Sequence, residues 1–455
     1  MPDKHAQGMR LMLLALVAIT LGGGALRGVA AATPSTYQSA DERAYAMIAR
    51  SLSTRGTYGD PVQADPVHWP PGAPLLFAAA FELHPQTRGD GVWDVPAAYP
   101  LQAAVGTAVI PAAFLLAFVV AGARAGLAAA TPVAFYPPLI EASGDLLSEP
   151  LGALLVTCAL LAVAVALRRP AWWTFAGAGA LLGASVLTRA DLLAVPLIAT
   201  AVVAAALWRR ERPLAGVRAG VLTLAGCLVA VVPWSVFASL RNDAFVPVSS
   251  GGGTNFFVGT LLPAEGSVFR AKKLLADETR ERFPRLRDEP AFRLPAARVM
   301  DAVAARRPGM ARDAALQAEA IDNLERYALD SPVAFAGMMA HKVERLWLHY
   351  TTGTFGQERV WILAMHLAIV ALGLGGLVAA AVRRRGGAAL WLIGLTLLYM
   401  TALNAVLISE ARHNLAVMPL VAVAGAAGLA LGLEGAAWTR VIRRIASGAT
   451  LRGRS

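Results

Sequence analysis

The chain has 455 residues, of which 56% are hydrophobic and only 16% are charged, a balance that excludes an ordinary soluble domain. Its formal net charge is +11, but the basic residues stand in short clusters between apolar runs. This pattern favours a membrane surface and argues against nucleic acid as a partner. The two cysteines, Cys158 and Cys227, fall inside apolar runs, so neither a disulfide framework nor a cysteine metal site is predicted.

Ten apolar stretches of about 16 to 24 residues are long enough to cross a bilayer, which predicts an all-α integral membrane protein. They begin near Leu11, Ala97, Gly126, Leu147, Trp172, Leu192, Val217, Val360, Ala388 and Leu415. The first follows Lys4 and Arg10 and precedes small residues, so a cleaved signal peptide is one reading of it. A retained helix is favoured, because the stretch from Leu11 to Ala32 is long for a signal peptide.

Basic clusters recur at every second junction between these stretches, for example at Arg124, at Arg168 and Arg169, and at Arg383 to Arg385. Lys and Arg near span ends stay preferentially in the cytoplasm, so both termini are predicted to be cytoplasmic in a multi-pass plasma-membrane protein. The predicted organisation is an N-terminal membrane region, a large extracytoplasmic loop, C-terminal membrane helices and a basic cytoplasmic tail. The N-terminal membrane region is 1–239 and includes a first outer loop at 33–96. The large extracytoplasmic loop is 240–358, the C-terminal membrane helices are 359–439, and the cytoplasmic tail is 440–455.

The first outer loop is predicted to begin with a short amphipathic helix that starts at Ser39 and ends at Gly56. Ser39 and Glu42 have the spacing of a capping box, so a structural and a functional role of Glu42 both remain open. Asp41 is not needed for that box, although the helix dipole alone also favours an acid in the first turn.

A proline-rich turn from Asp65 to Pro74 follows, and it carries His68. Prolines restrict the backbone, so this segment can form a rigid pocket wall to which Tyr45 and His68 contribute; an ordinary turn is the alternative. Asp145 and Glu149 lie four residues apart at the start of the fourth span and share one face if that segment is helical. Acids this close to hydrocarbon are costly, which favours function over compensation of the helix dipole.

Several cations belong to the same predicted side: Arg189, Arg241, Lys342, Arg345 and Arg412. Each alone suits an interfacial anchor. Together with the acids they indicate a pocket for an anionic lipid headgroup beside a carboxylate that can act as a base. In the large loop, Arg298 to Leu329 and Pro332 to Tyr350 are each predicted to form an amphipathic helix. No Walker loop, dinucleotide fingerprint or zinc-protease helix is present.

The order of these segments resembles the polyprenyl-phosphate-dependent membrane glycosyltransferases of the GT-C type, in particular the protein O-mannosyltransferase-like and lipid A aminoarabinose transferase-like group. The resemblance covers nearly the whole chain. The segments that carry it are Asp41-Glu42, the Pro-Pro-Gly-x-Pro turn from Pro70 to Pro74, Ser-Glu-Pro-Leu from Ser148, Leu-Thr-Arg from Leu187, Pro-Trp with the following Arg-Asn and Phe-Val-Pro-Val-Ser between Pro233 and Ser249, and Glu-x-Arg at Glu410.

The resemblance implies a GT-C-like fold and gives several residues a role. Asp41 would be the general base and Glu149 the second acidic site, with Glu42 and Asp145 as acidic neighbours. The donor phosphate would be held by Arg412, with Arg189 or Lys342 in support. The sequence departs from the family pattern at two positions, with His413 where a tyrosine is usual and Ala190 where a proline is usual.

The implied reaction is inverting transfer of a sugar from a polyprenyl-phosphate donor to a glycan, lipid or protein acceptor on the outer face. No obligatory cofactor or metal is predicted, because no histidine and carboxylate cluster has metal-ligand spacing. A secondary transporter is a rival interpretation, but transporters hold their polar sites near the midplane, whereas these acids gather at helix ends. An inactive scaffold of an envelope-glycan assembly complex is a third interpretation.

Overall fold

The computed structural model describes residues 2–34, 39–59, 67–84, 95–209, 213–351, 359–383 and 387–432, with side chains from residue 7 onward. Within these ranges every regular element is helical. Asp65 and the predicted tail at 440–455 lie outside the described residues. The first half contains α1 (Pro2–Ala32), α2 (Ala40–Arg55), α3 (Gly72–Leu83), α4 (Ala98–Ala121), α5 (Ala123–Phe135), α6 (Pro137–Glu141), α7 (Glu149–Arg168), α8 (Trp172–Thr188), α9 (Val195–Trp208) and α10 (Pro213–Asn242).

The second half has two parts. The predicted large loop contains α11 (Gly252–Thr260), α12 (Val268–Leu274), α13 (Ala276–Arg282), α14 (Ala296–Ala304), α15 (Arg312–Asn323) and α16 (Pro332–Leu348). The C-terminal part contains α17 (Val360–Arg383), α18 (Gly387–Val406), a 3₁₀ turn (Ala411–Val417) and α19 (418–432).

Eight helical stretches of the described chain are long and apolar enough to cross a membrane, and they confirm the predicted all-α membrane fold. They are Gln7–Ala32, Ala98–Ala121, Glu149–Arg168, Ala190–Trp208, Pro213–Asn242, Val360–Arg383, Gly387–Val406 and Ala411–Gly432. The spans expected from Trp172 and Gly126 correspond to shorter helices, the 17-residue α8 and the 13-residue α5.

Two adjacent prolines explain why α5 is shorter than the predicted span. The helix ends before Tyr136, whose backbone is extended with φ −73° and ψ 114°. This is the conformation that a following proline favours, because the proline ring clashes with a helical residue before it. Pro137 and Pro138 then start the short helix α6 in a new direction.

Arg27 compensates for the hydrogen bonds that are lost where α5 ends. It is a charged residue inside the first span, and its role was not predicted from the sequence. Pro137 and Pro138 lack the N–H groups that the carbonyls of Val133 and Ala134 would accept in a continuous helix. The Arg27 guanidinium donates to both carbonyls, through Nη2 to Val133 at 2.8 Å and through Nη1 to Ala134 at 2.9 Å. It is only 1% exposed, so the two carbonyls are satisfied by a side chain and not by water.

The short helix α2 forms as predicted. Ser39 accepts from the Glu42 amide at 3.3 Å, while the Glu42 carboxylate accepts from the Ser39 amide at 2.7 Å, which completes the capping box. Gly56 ends the helix in the left-handed region, with φ 64°. The predicted proline-rich turn leads directly into α3, an apolar helix that packs against the buried face of α2.

The expected single helix from Arg298 to Leu329 is wrong, because the chain turns between α14 and α15. Gly309 adopts φ +87° directly after Pro308, a pair that ends a helix. Arg306 bridges this turn to Glu278 of α13 and to Glu319 of α15. The second expected helix, from Pro332 to Tyr350, is confirmed as α16.

Candidate active site

The predicted acids and arginines meet at one end of the helix bundle, called here the site face. Arg412, in the turn before α19, contacts Asp41 in the first turn of α2, with 2.5 Å between Nη2 and Oδ2. Its Nε also donates to Glu410 at 2.9 Å. Asp41 and Arg412 are 19% and 28% exposed, so both remain accessible from solution.

A second guanidinium centre lies at Arg189, between α8 and α9. Its Nη2 and Nε donate to Asp191 at 2.6 and 3.2 Å, as a fork that meets both carboxylate oxygens. Its Nη1 lies 3.3 Å from Oε1 of Glu149 and 3.4 Å from the hydroxyl of Ser148. Arg189 is only 8% exposed, so this centre is less accessible than the Arg412 centre.

Glu149 and Tyr45 link the two centres. Glu149 contacts Arg189 directly and lies within the electrostatic field of Arg412. Tyr45 of α2 forms a hydrogen bond with Ser148 and lies near both Asp41 and Glu149. Burial and these two carboxylates raise the pKa of Tyr45 above its ordinary value, so its phenol stays protonated. The expected set of Asp41, Glu149, Arg189, Arg412 and Tyr45 therefore forms one cluster.

Electrostatics within the cluster differ from acid to acid. Burial alone would raise the pKa of Glu410, but Arg412 opposes this and holds that pKa below its ordinary value. Asp145, by contrast, has its pKa raised to about 7 by burial and by the nearby acids Glu42, Glu149 and Glu141. Asp145 can thus carry or release a proton near neutral pH.

Glu42 has contacts that match its structural interpretation. Besides the capping box, its Oε1 accepts from the amide of Leu146 at 3.2 Å, which ties α2 to the segment before α7. Gln102 of α4 donates to the carbonyls of Asp145 and Leu147 at 3.1 and 2.6 Å and braces the same segment. Glu42 therefore holds the backbone that presents Asp145 and Glu149.

The proline-rich turn lies against the Arg189 segment. A Cβ on Gly72 would come within 2.4 Å of the Thr188 hydroxyl and 2.8 Å of its Cα, so only glycine permits this approach. Trp69 contacts Tyr45 edge to face, with 5.1 Å between ring centroids, and also contacts His68 at 4.8 Å. His68 is thus joined to Tyr45 through Trp69 and lies in a second layer behind the acids.

Lys342, expected to join Arg412 at the donor phosphate, has different contacts. It is fully buried on α16, and its ammonium donates to the carbonyls of Gly259 at 2.9 Å and Val406 at 3.2 Å. The structure does not bring it into contact with Arg412. Its amine donates to backbone carbonyls of two distant helices, a role that no local sequence pattern indicates.

Two acids that complete the cluster, Asp191 and Glu410, were not predicted as site residues. Each lies two positions from its arginine, in Arg-Ala-Asp and Glu-Ala-Arg, and this spacing was the available signal. Within the part of the chain that the structure describes, no group of three or more His, Cys, Asp or Glu side chains could hold a metal ion.

An apolar groove of about 520 Å³ runs between α9 and α18, open to the side of the bundle. Its walls include Ile198, Val202, Leu395 and Tyr399. The Tyr399 hydroxyl accepts from the amide of Ala194 at 3.5 Å and lies within electrostatic reach of Asp191. The groove therefore leads toward the Arg189 centre.

Comparison with solved structures identifies a shared architecture. The oligosaccharyltransferase AglB from Archaeoglobus fulgidus, in complex with an inhibitory peptide and a dolichol-phosphate, is similar over 96% of this chain, with 16% identity and a TM-score of 0.57. The apo form of the A. fulgidus enzyme matches 95% of this chain at 16% identity and a TM-score of 0.56. This chain spans about half the length of that enzyme, since 52% of it is covered in both cases.

ArnT from Cupriavidus metallidurans, bound to undecaprenyl phosphate, also matches, with a lower TM-score. It has 21% identity and a TM-score of 0.40 over 93% of this chain and 79% of its own. No protein-family model matches the chain, and no curated protein matches it significantly. The fold of the described chain is thus the GT-C-like, all-α membrane fold that its motifs predicted.

Proposed function

We propose that this protein is an inverting glycosyltransferase that takes a sugar from a polyprenyl-phosphate-linked donor. The observation that carries the proposal is the Asp41–Arg412 contact, a carboxylate and a guanidinium held together at the mouth of a cluster with a second such pair. The pair combines a proton acceptor with a cation that can bind phosphate, the two functions that this transfer needs.

In the proposed reaction, Asp41 accepts a proton from the acceptor hydroxyl or amine as that group attacks the anomeric carbon. The new bond joins the acceptor to the anomeric carbon, and the bond from this carbon to the phosphate oxygen breaks. The electron pair of the broken bond stays on the departing phosphate, where Arg412 stabilises the negative charge. Because this is a single displacement, the anomeric configuration inverts.

The groove between α9 and α18 supports a lipid-linked donor. It is apolar, opens to the side of the bundle and leads toward Arg189 and Asp191. An isoprenoid tail in this groove would leave its phosphate near the guanidinium groups, at the level where the helices end. AglB was solved with a dolichol-phosphate, which supports a donor of this class.

The proposed location of the reaction is the extracytoplasmic side. The helices α7 and α17 end at Arg168 and Arg383, at the opposite end of the bundle from the Asp41 cluster. Basic residues at span ends favour the cytoplasm, which supports a site face on the outside.

Asp41→Asn and Glu42→Gln test the proposal as a pair. Asparagine keeps the size of Asp41 but cannot accept the proton, so turnover should fall by about two to four decades while folding is retained. Glutamine can still complete the capping box, so Glu42→Gln should cost at most about 1 kcal/mol of local helix stability. The measurement is sugar transfer from a polyprenyl-phosphate donor by purified protein of matched monodispersity.

Arg412→Lys gives an independent test in the same assay. Lysine keeps the charge but not the planar fork that can meet two phosphate oxygens, so donor use should weaken at unchanged protein abundance. Unchanged donor dependence would remove Arg412 from the site. Normal transfer by Asp41→Asn together with an inactive Glu42→Gln would reverse the assignment of the base. If the wild type transferred no sugar from any donor tested, a scaffold would be favoured.

A further inference from the structure

Lys342 joins the C-terminal ends of two helices from different parts of the chain. Gly259 lies in the last turn of α11, and Val406 is the last residue of α18. Their carbonyls accept from the Lys342 ammonium at 2.9 and 3.2 Å. The last carbonyls of a helix have no partner within the helix, so the two hydrogen bonds from Lys342 satisfy both helix ends at once.

The two helix ends that Lys342 joins are also packed tightly against each other. A Cβ on Gly259 would lie 2.5 Å from the Val406 carbonyl oxygen and 2.6 Å from the carbonyl carbon of Leu407. The amide of Ile408 donates to the carbonyl of Asn255 at 3.1 Å, one turn earlier on α11. This contact therefore fixes where the chain lies as it leaves α18.

The same helix that carries Lys342 then holds the residues on both sides of Arg412. The Ser409 hydroxyl donates to the Lys342 carbonyl at 2.8 Å, and Arg345 Nη1 donates to the Ser409 carbonyl at 3.2 Å. The Asn414 side chain donates to the carbonyl of Leu346 at 2.6 Å. Arg412 lies between these two anchor points.

We propose that Lys342 is a positioning residue: it ties α11, α16 and the end of α18 into one unit that holds Arg412 against Asp41. Lys342 does not itself touch the donor. The proposal rests on the proposed function for its effect on catalysis, but the tie between helices is a property of the fold that can be measured separately.

The charge of Lys342 is not needed for the tie. Burial, with help from the nearby charge of Arg345, lowers the pKa of Lys342 to about 7. Arg345 in turn faces Arg270, Glu265, Glu410 and Glu344. A neutral amine still has two N–H donors for the two carbonyls, so both hydrogen bonds persist above that pH.

The pH dependence has a defined sign. Between pH 7 and the ordinary lysine pKa of 10.5, the unfolded chain binds a proton that the folded protein lacks. Stability contributed by this group therefore rises with pH over that window. Lys342→Met should lack this rise, although it loses both hydrogen bonds.

The experiment compares Lys342→Met with Lys272→Met, a matched control whose lysine also donates to a backbone carbonyl, that of Phe292, at 2.6 Å. Amide hydrogen exchange across residues 406–414 and sugar transfer are measured on both. In Lys342→Met, exchange should speed up at least tenfold and turnover should fall tenfold or more with little change in donor KM. Lys272→Met should match the wild type in both, and Lys342→Arg, which keeps donors for both carbonyls, should restore part of each.

If Lys342→Met does not fold, Ser409→Ala replaces it as the test variant. It removes only the hydrogen bond from the Ser409 hydroxyl to the Lys342 carbonyl on α16. It should also speed exchange in this segment, by a smaller factor. Unchanged exchange in both variants overturns the proposal. Reduced transfer with unchanged exchange in Lys342→Met also overturns it, because Lys342 would then act on the donor. A wild type without transfer activity refutes the proposed function alone, since the exchange result still decides whether the tie exists.

Discussion

The guanidinium groups of Arg189 and Arg412 have a common arrangement of partners. Each contacts one acid two residues away in sequence, Asp191 or Glu410, and one acid from a distant helix, Glu149 or Asp41. The acid two residues away, Asp191 or Glu410, restricts the side-chain rotamers of its arginine. This restriction keeps each guanidinium oriented toward the acid from the distant helix. Such preorganisation is how a cation site keeps its geometry for a substrate phosphate.

Asp145 gives a prediction at the scale of one residue. Its pKa of about 7, against an ordinary 3.8, means that the folded protein keeps a proton that the unfolded chain has lost between these values. Stability from this group therefore falls as pH rises from about 4 to 7. Asp145→Asn should escape this fall, so its midpoint temperature of unfolding in detergent should exceed that of the wild type by a few degrees at pH 8.

At pH 4 most of this advantage should be absent, because the folded Asp145 is still protonated and the unfolded chain is only beginning to lose that proton at its ordinary pKa of 3.8. Asp288→Asn, at an exposed position of the large loop, is the control and should show no such trend. A difference between Asp145→Asn and the wild type that stays constant from pH 4 to 8 would show that Asp145 is ionised throughout in the folded protein.

Single residues were predictable where their role depends on near neighbours in sequence. The capping box of Ser39 and Glu42 has a fixed spacing, so it could be read directly. Lys342 could not, because its two carbonyl partners belong to helices far away in sequence. A lysine near a membrane surface has the same local sequence whether it binds a phosphate or a helix end.

At the scale of helices, the break between α5 and α6 shows why a hydropathy pattern can overestimate the length of a span. The residues around Pro137 and Pro138 are apolar, so composition alone extends the span across them. The backbone cannot continue as one helix across this segment, because Pro137 and Pro138 both lack the N–H donors that a helix needs. Arg27 supplies them from another helix, which no window of local sequence could reveal.

A double-mutant cycle tests this compensation. Arg27→Met should leave two buried carbonyls without donors, a cost of about 1 to 3 kcal/mol for each. Replacing Pro137 and Pro138 by alanine returns the backbone N–H groups to these carbonyls. In that background Arg27→Met should cost at least about 1 kcal/mol less, the size of one restored hydrogen bond.

The measurement is denaturation in mild detergent of four proteins: the wild type, Arg27→Met, the variant with alanine at both Pro137 and Pro138, and the combination of all three substitutions. Equal costs of Arg27→Met in the two backgrounds would show that the arginine and the prolines act independently. Backbone restriction by proline and glycine also explains why the helix expected from Arg298 to Leu329 is interrupted. Pro308 and Gly309 separate α14 from α15 although the amphipathic pattern continues through them.

The architecture of the whole molecule was the most predictable feature. In a bilayer every backbone polar group must find a partner inside the protein, so long apolar runs have little choice but to form helices. The sequence therefore predicted the class of fold and most of the long helices. It could not predict which helices are neighbours, because lipid-facing and protein-facing residues are equally apolar.

The orientation of the whole molecule can be tested by labelling. In a background without Cys158 and Cys227, cysteines at Thr57 and Met310 should react with an impermeant thiol reagent in intact cells, while one at Arg169 should react only after permeabilisation. Thr57 and Met310 are exposed residues of the first and second predicted outer loops, and Arg169 is an exposed residue after α7. The reverse pattern would move the site to the cytoplasmic side.

Under the proposed function, the contact between Asp41 and Arg412 also bears on when during its synthesis the protein could first transfer a sugar. The ribosome delivers the α2 segment early, whereas the arginine arrives only with the last described membrane helix. Until then Asp41 lacks its contact with Arg412, and helices inserted one after another must still rearrange to bring the two residues together. A nascent chain at the translocon should therefore be unable to consume donor lipid, and premature release of the chain would yield an inert product.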